Sequence, residues 1–169
     1  MNNEKETKTF KTPEQTEINE PSLEARDAAV TALASEFHEN WRKTRLDADG
    51  SYEPRVKPTE DQAWIETHGT DQVDIANTAY EDLPLDWQAE NAAAAAVVVD
   101  VMNEHNGVVD IDNPTIRSSV GEKIHTAWLS RNGRAKGGEL DVPFDELPQD
   151  EQDKDIDQVS VAQRVFSTE

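Results

Sequence analysis

Cysteine is absent from the sequence. No disulfide, thiolate chemistry or cysteine zinc site is therefore available, and the composition fits a reducing, cytoplasmic setting. Long apolar runs are absent too. The stretch Ala92 to Val99 is far too short to span a bilayer and has polar flanks, so no membrane partner is expected. Basic residues are scarce: 16 Lys and Arg stand against 36 Asp and Glu, for a net charge of -20. A chain that neutralises nucleic-acid phosphates needs a basic footprint, so direct backbone binding is not expected. The acidic residues do not gather in one block, which favours a solvated acidic surface over a DNA mimic. There is no phosphate-cradling glycine loop, no GxSxG and no HExxH. Only 4 histidines occur, none paired at ligand spacing. No nucleophile or acid–base set stands out, so the chain reads as non-catalytic, with neither cofactor nor metal.

The first 20 residues carry almost no apolar side chains and no helical period. They are expected to form a disordered leader and lack the apolar stretch of a signal peptide. Residues 21–169 are expected to form one domain. Ser22 caps a first helix whose apolar face is Val30, Leu33, Phe37 and Trp41. The helix is expected to fail at the turn-rich Asp47-Ala48-Asp49-Gly50, which is no calcium loop, since its glycine falls at position four rather than six. Tyr52 to Arg55 reads as extended, Pro58 opens a short helix ending at His68-Gly69, and Asp71 to Tyr80 reads as irregular. Leu83-Pro84 opens what is expected to be the longest helix, with Pro84 at its first position and an end near Glu104. A short strand is expected at Val108 to Ile111. Asn113-Pro114 then starts a helix with Ile116, Val120, Ile124 and Trp128 on one face. Residues 134–138 read as a mobile basic loop and Leu140 to Phe144 as extended. Leu147-Pro148 opens a last helix with Ile156, Val159, Ala162 and Phe166 inward.

The two halves repeat one plan. Phe37-His38-Glu39-Asn40-Trp41 matches Ile124-His125-Thr126-Ala127-Trp128, and Tyr80-Glu81-Asp82-Leu83-Pro84 matches Phe144-Asp145-Glu146-Leu147-Pro148. The offsets are 87 and 64 residues, so the first copy carries an insertion of 23. Each copy is a helix, an irregular excursion and a second helix, and one such unit buries little alone. The expected fold is mainly α: two helix–excursion–helix repeats (21–106 with the insertion, and 107–169) packed with pseudo-twofold symmetry, with minor short β-strands.

The motifs resemble the ryanodine-receptor repeat. In the second copy the resemblance rests on His125, Trp128, Val142-Pro143-Phe144, Leu147-Pro148, Glu151-Gln152 and Asp155, with Gln152 in place of the usual lysine. In the first it rests on His38, Trp41, Gly50 to Arg55, Tyr80, Leu83-Pro84 and Asn91. Ser51 and Glu53 depart from the family pattern, as does the insertion containing Trp64. The resemblance covers about Ser22 to Phe166 and implies a tandem-repeat protein of bacterial type that binds a nucleotide-like ligand between equivalent tryptophans.

Trp41 and Trp128 are the first candidate ligand-binding residues. Across a pseudo-twofold axis they form a stacking slot for a planar ligand, or else they are ordinary core. Asn91 and Asp155 occupy the equivalent position of each second helix and offer hydrogen bonds to a base edge or sugar. Tyr52 and Arg55 complete the set. Arg55 either forks a phosphate or carboxylate or pairs with a surface acid. His38 and His125 read as half-buried residues bonded to backbone rather than as acid–base groups, because the position is duplicated. Asp71 to Asn77 either lines a site or satisfies loop backbone. A small planar, nucleotide-like molecule is the expected partner. The alternative is a regulatory protein-interaction domain with an apolar patch around Trp64 or Trp87.

Overall fold

The computed structural model describes residues 22–133 and 137–167. The leader expected over the first 20 residues, and residues 134–136 of the expected basic loop, lie outside them. The described chain is mainly helical with one small antiparallel sheet.

Helix α1 (Leu23–Lys43) begins where the Ser22 hydroxyl accepts the Ala25 N–H at 3.1 Å. It buries Val30, Leu33, Ala34 and His38. The inserted excursion follows. Strand β1 (Val56–Pro58) pairs with β2 (Gln72–Asp74), and helix α2 (Gln62–His68) lies between them in sequence. Helix α2 ends at Gly69 with φ +73°, a left-handed cap that glycine adopts without strain. This sheet falls partly within Asp71 to Tyr80, expected to be irregular. The pairing comes from the insertion folding back on itself, which period alone does not signal.

Helix α3 (Leu85–Glu104) and helix α5 (Gln149–Phe166) both follow a one-turn 3₁₀ segment, Tyr80–Asp82 and Phe144–Glu146 respectively. Pro84 and Pro148 stand at the cap, one residue earlier than expected, with nearly identical backbone angles (φ -55°, ψ 152° and φ -55°, ψ 150°). Helix α1, with 21 residues, exceeds α3, with 20, so α3 is not the longest. Helix α4 (Pro114–Arg131) starts as expected, with Asn113 Oδ1 accepting from the Thr115 and Ile116 N–H groups. No strand forms at Val108 to Ile111. The Gln163 amide takes the place of a strand partner there, accepting from Val109 N–H and donating to Val109 C=O, both at 3.3 Å. Phe144, expected at the end of an extended segment, already belongs to the 3₁₀ turn.

The two copies share detail as well as plan. Gln88 Nε2 donates to Glu81 C=O and Leu83 C=O, and Gln152 Nε2, 64 residues on, donates to Asp145 C=O and Leu147 C=O. Helix α1 packs on α3 and α5, α4 packs on α5 and α3, and α3 packs on α5. That is the set of contacts expected when two copies exchange across an axis between their second helices. One core joins both copies, including Leu33, Leu83, Ala95 and Val98 from the first and Val120, Ile124, Val159 and Ala162 from the second. Small side chains at Ala92 to Ala96 permit the close approach around α3. A second, smaller cluster of Phe144, Leu147 and Ile156 lies within copy two.

Candidate functional site

The site grows from the last two turns of α4. His125 is buried, and its Nε2 lies 2.9 Å from Leu140 C=O and 2.8 Å from Val142 C=O. Carbonyls only accept, so Nε2 carries the proton and donates to both. The imidazole stacks on Trp128, with ring centroids 6.1 Å apart and planes 12° apart. Helix α5 faces this pair with Glu151, Asp155 and Gln158, which the helical repeat sets on one face. Together with Leu140, Leu147 and Lys154 these residues line a cavity of about 350 Å³.

Asp155 dominates its chemistry. The side chain is 14% exposed, and its nearest ionisable neighbour is His125, with Nδ1 at 3.9 Å, too far for a hydrogen bond. Burial pushes the carboxyl up from 3.8 to about 6, His125 draws it down, Glu151 adds like-charge repulsion, and Lys154 opposes that. Lys154 is itself held by Glu151 at 2.9 Å. Gln158 Oε1 is buried without a hydrogen-bond partner.

The raised carboxyl has a consequence for stability. Between pH 3.8 and about 6 the folded protein holds a proton that the unfolded chain has lost, so stability falls as pH rises through that window. Asp155→Asn should be more stable than the wild type at pH 7.5 by ~1–2 kcal/mol, discounted for solvent screening of the exposed part. The two should converge below pH 4. Urea denaturation at the two pH values measures this, and a variant less stable at pH 7.5 would show that the charged form is favoured.

The first copy is built differently. His38 Nε2 donates to Thr78 C=O at 2.8 Å, and the ring stacks on Trp41 with centroids 5.8 Å apart. Arg45 lies 5.5 Å from the Trp41 ring, and Arg42 lies 4.5 Å from the Tyr52 ring. At the position of Glu151 stands Trp87, whose indole N–H donates to Pro58 C=O of the insertion. At the position of Asp155 stands Asn91, whose amide donates to Trp87 C=O on its own helix.

Of the expected site residues, Trp128 and Asp155 share the cavity. Trp41 and Tyr52 lie in copy one beneath arginines, and Asn91 bonds to its own helix. The Arg55 side chain is exposed; its backbone N–H donates to Asp74 Oδ1 at 3.0 Å. Among the described residues no ring contact joins Trp41 to Trp128, and α1 and α4 are not among the helix pairs that pack together. Of the two indoles only Trp128 lines the cavity. The reason is topological: the second helices meet at the centre and hold the first helices apart.

Arg42 is spent on Ala76 C=O and Glu39, and Arg131 pairs with Glu90, so neither gathers at the cavity. The two histidines are bonded to backbone, as expected, but they are buried rather than half-buried. Asp71 to Asn77 is taken up largely with the backbone of the facing 52–59 stretch: Asp71 C=O accepts from Thr59 N–H, Asp74 Oδ1 from Arg55 N–H, and Asn77 Nδ2 donates to Tyr52 C=O. Burial pushes the Asp74 carboxyl up, but hydrogen bonds from Arg55 N–H and Asn77 outweigh it and leave it below the usual range. Glu151, Lys154 and Gln158 are cavity residues that spacing does not single out on so acidic a helix. Glu151 stands in the repeat motif without a site role, Gln158 shares only an i, i+4, i+7 alignment with Glu151 and Asp155, and nothing in the sequence marks Lys154.

Among the described residues no group of three His, Asp or Glu side chains is placed to hold a metal ion, and no helix is long and apolar enough to cross a membrane. No family model, curated protein or solved structure matches the chain.

Proposed function

We propose that the chain is a non-catalytic binding domain of two ryanodine-receptor-type repeats whose second copy takes a small planar, nucleobase-like ligand. One observation carries this reading: a cavity with the Trp128 indole at its wall also exposes a carboxylate, Asp155, that no protein donor satisfies. Base faces stack on indoles, and base edges supply the N–H groups that such an acceptor lacks. The matched hydrogen bonds of Gln88 and Gln152 support the tandem-repeat reading. Highly phosphorylated ligands suit the site poorly, because its one lysine is already paired.

Thermal shift and tryptophan fluorescence against nucleobases, nucleosides and nucleotides test the proposal. The ligand at 100 times its dissociation constant stabilises the fold by about 2.7 kcal/mol. Trp41→Ala should keep the response and Trp128→Ala should lose it. Loss in both variants would point back to a shared slot, and silence in the wild type would point to a protein partner.

That second reading has its own support. An apolar groove of about 190 Å³ is lined by Ala25, Ala29, Val99, Met102 and Phe166. It does not lie where an apolar patch was expected. Trp64 stacks on His68 with centroids 3.9 Å apart, and Trp87 is tied to Pro58, so both are half-buried.

A further inference from the structure

The acceptors around the cavity point to the charge of what it binds. Asp155 presents a carboxylate that receives no hydrogen bond from any described residue, and the nearest side-chain nitrogen, His125 Nδ1, lies 3.9 Å away, beyond hydrogen-bond distance. One helical turn along the same face, Gln158 Oε1 is buried and unpartnered. Glu151 adds a second carboxylate, and the Lys154 ammonium that could answer these groups is bonded to Glu151. Acceptors without donors then line one side of a cavity whose other side is an indole. A buried carboxylate in that state is costly until a cation or donor reaches it. In the first copy Asn91 replaces the carboxylate and turns its amide to Trp87 C=O, so the unmet carboxylate at this position is peculiar to the second copy.

We propose that the cavity binds a planar cation of the amidinium or guanidinium class, its N–H edge on Asp155 and Gln158 Oε1 and its face on Trp128. This rests on the planar-ligand reading above and adds the charge. An amidinium presents two parallel N–H groups to one carboxylate, the geometry that makes such pairs strong. A delocalised cation over an indole gains a further attraction from the ring quadrupole. The chain's net charge of -20 raises the local concentration of cations and repels anions.

The site is also proton-sensitive. The groups that face Asp155 are His125 from α4 and Glu151 and Lys154 from α5, and together with burial they leave its carboxyl at about 6. A cation competes with that proton, so binding strengthens as pH rises from 5 to 7.5, by about tenfold for a single group titrating in that window.

Benzamidine and its neutral isostere benzamide are the probes, with adenine as an uncharged base, titrated into the full chain at both pH values and followed by calorimetry and tryptophan fluorescence. The expected result is saturable benzamidine binding at pH 7.5, at least tenfold weaker binding of benzamide, and about tenfold weakening of benzamidine at pH 5. Asp155→Asn, an isosteric change that keeps the fold, should abolish the preference for benzamidine and its pH dependence. Benzamide or adenine binding as well as benzamidine would overturn the cation assignment and leave the planar-ligand reading standing. Benzamidine binding unchanged in Asp155→Asn would also overturn it, as attraction to the acidic surface alone. No response to any of the three probes would overturn both.

Discussion

Phe144→Ala should lower the unfolding free energy by about 3–5 kcal/mol, the range for removing a buried aromatic ring. Phe144 is 1% exposed and centres the smaller core cluster with Leu147 and Ile156. The ring is seated against bare backbone. A Cβ added at Gly121 would lie 2.4 Å from Phe144 Cζ and 2.5 Å from both Cε atoms. Gly121→Ala therefore forces the ring or α4 to move and should cost about 1–3 kcal/mol, although alanine is the better helix former by about 1 kcal/mol. Phe144→Leu removes the three atoms that clash. In that background Gly121→Ala should cost nothing or stabilise. Urea denaturation of the four proteins gives the coupling, expected at about 1–3 kcal/mol. Additive effects would mean that the ring slides away freely and the glycine is not required. At the matching place in α1 stands Ala34, fully buried, so copy one accommodates a Cβ where copy two does not.

That contrast marks how far the sequence reaches. Helix starts were legible because they depend on local chemistry: Ser22 and Asn113 accept the first N–H groups, and the two Leu-Pro pairs stop and restart the backbone in the same way. The inward faces of α4 and α5 were legible from their spacing. The repeat was legible in the matched pairs Phe37–Trp41 with Ile124–Trp128 and Tyr80–Pro84 with Phe144–Pro148, and the structure adds matched bonds at Gln88 and Gln152. What spacing does not carry is which helices meet. Trp41 and Trp128 hold equivalent places and suggested a shared slot, yet α3 and α5 pack at the centre and each indole rests on its own histidine. The two copies have also diverged by single residues that look interchangeable in an acidic helix. Trp87 against Glu151 and Asn91 against Asp155 decide which copy keeps an open, charged cavity.

The histidines should report that divergence in stability. Both are buried, at 4% and 3% exposure, and both serve carbonyls through Nε2, but His38 serves one and His125 serves two. Each truncation to alanine removes a ring and orphans its acceptors. His38→Ala should cost about 2–4 kcal/mol and His125→Ala about 3–5 kcal/mol, the difference being one more buried carbonyl left unpaired. The second change should also release the segment that carries Leu140 and Val142, and with it one wall of the cavity. Hydrogen exchange separates the two effects. In His125→Ala the Asp141 N–H, which donates to Gly138 C=O at 3.1 Å, and the Phe144 N–H, which donates to Glu122 Oε2 at 2.7 Å, should lose protection beyond what global destabilisation explains, and in His38→Ala they should not. His125→Gln, which keeps a side-chain donor, should recover part of both losses. Equal costs for the two alanine variants, with protection unchanged, would mean that the ring packs without clamping the loop. The cavity wall would then be held by Phe144 and Leu147 alone, and binding at Trp128 should survive the loss of His125.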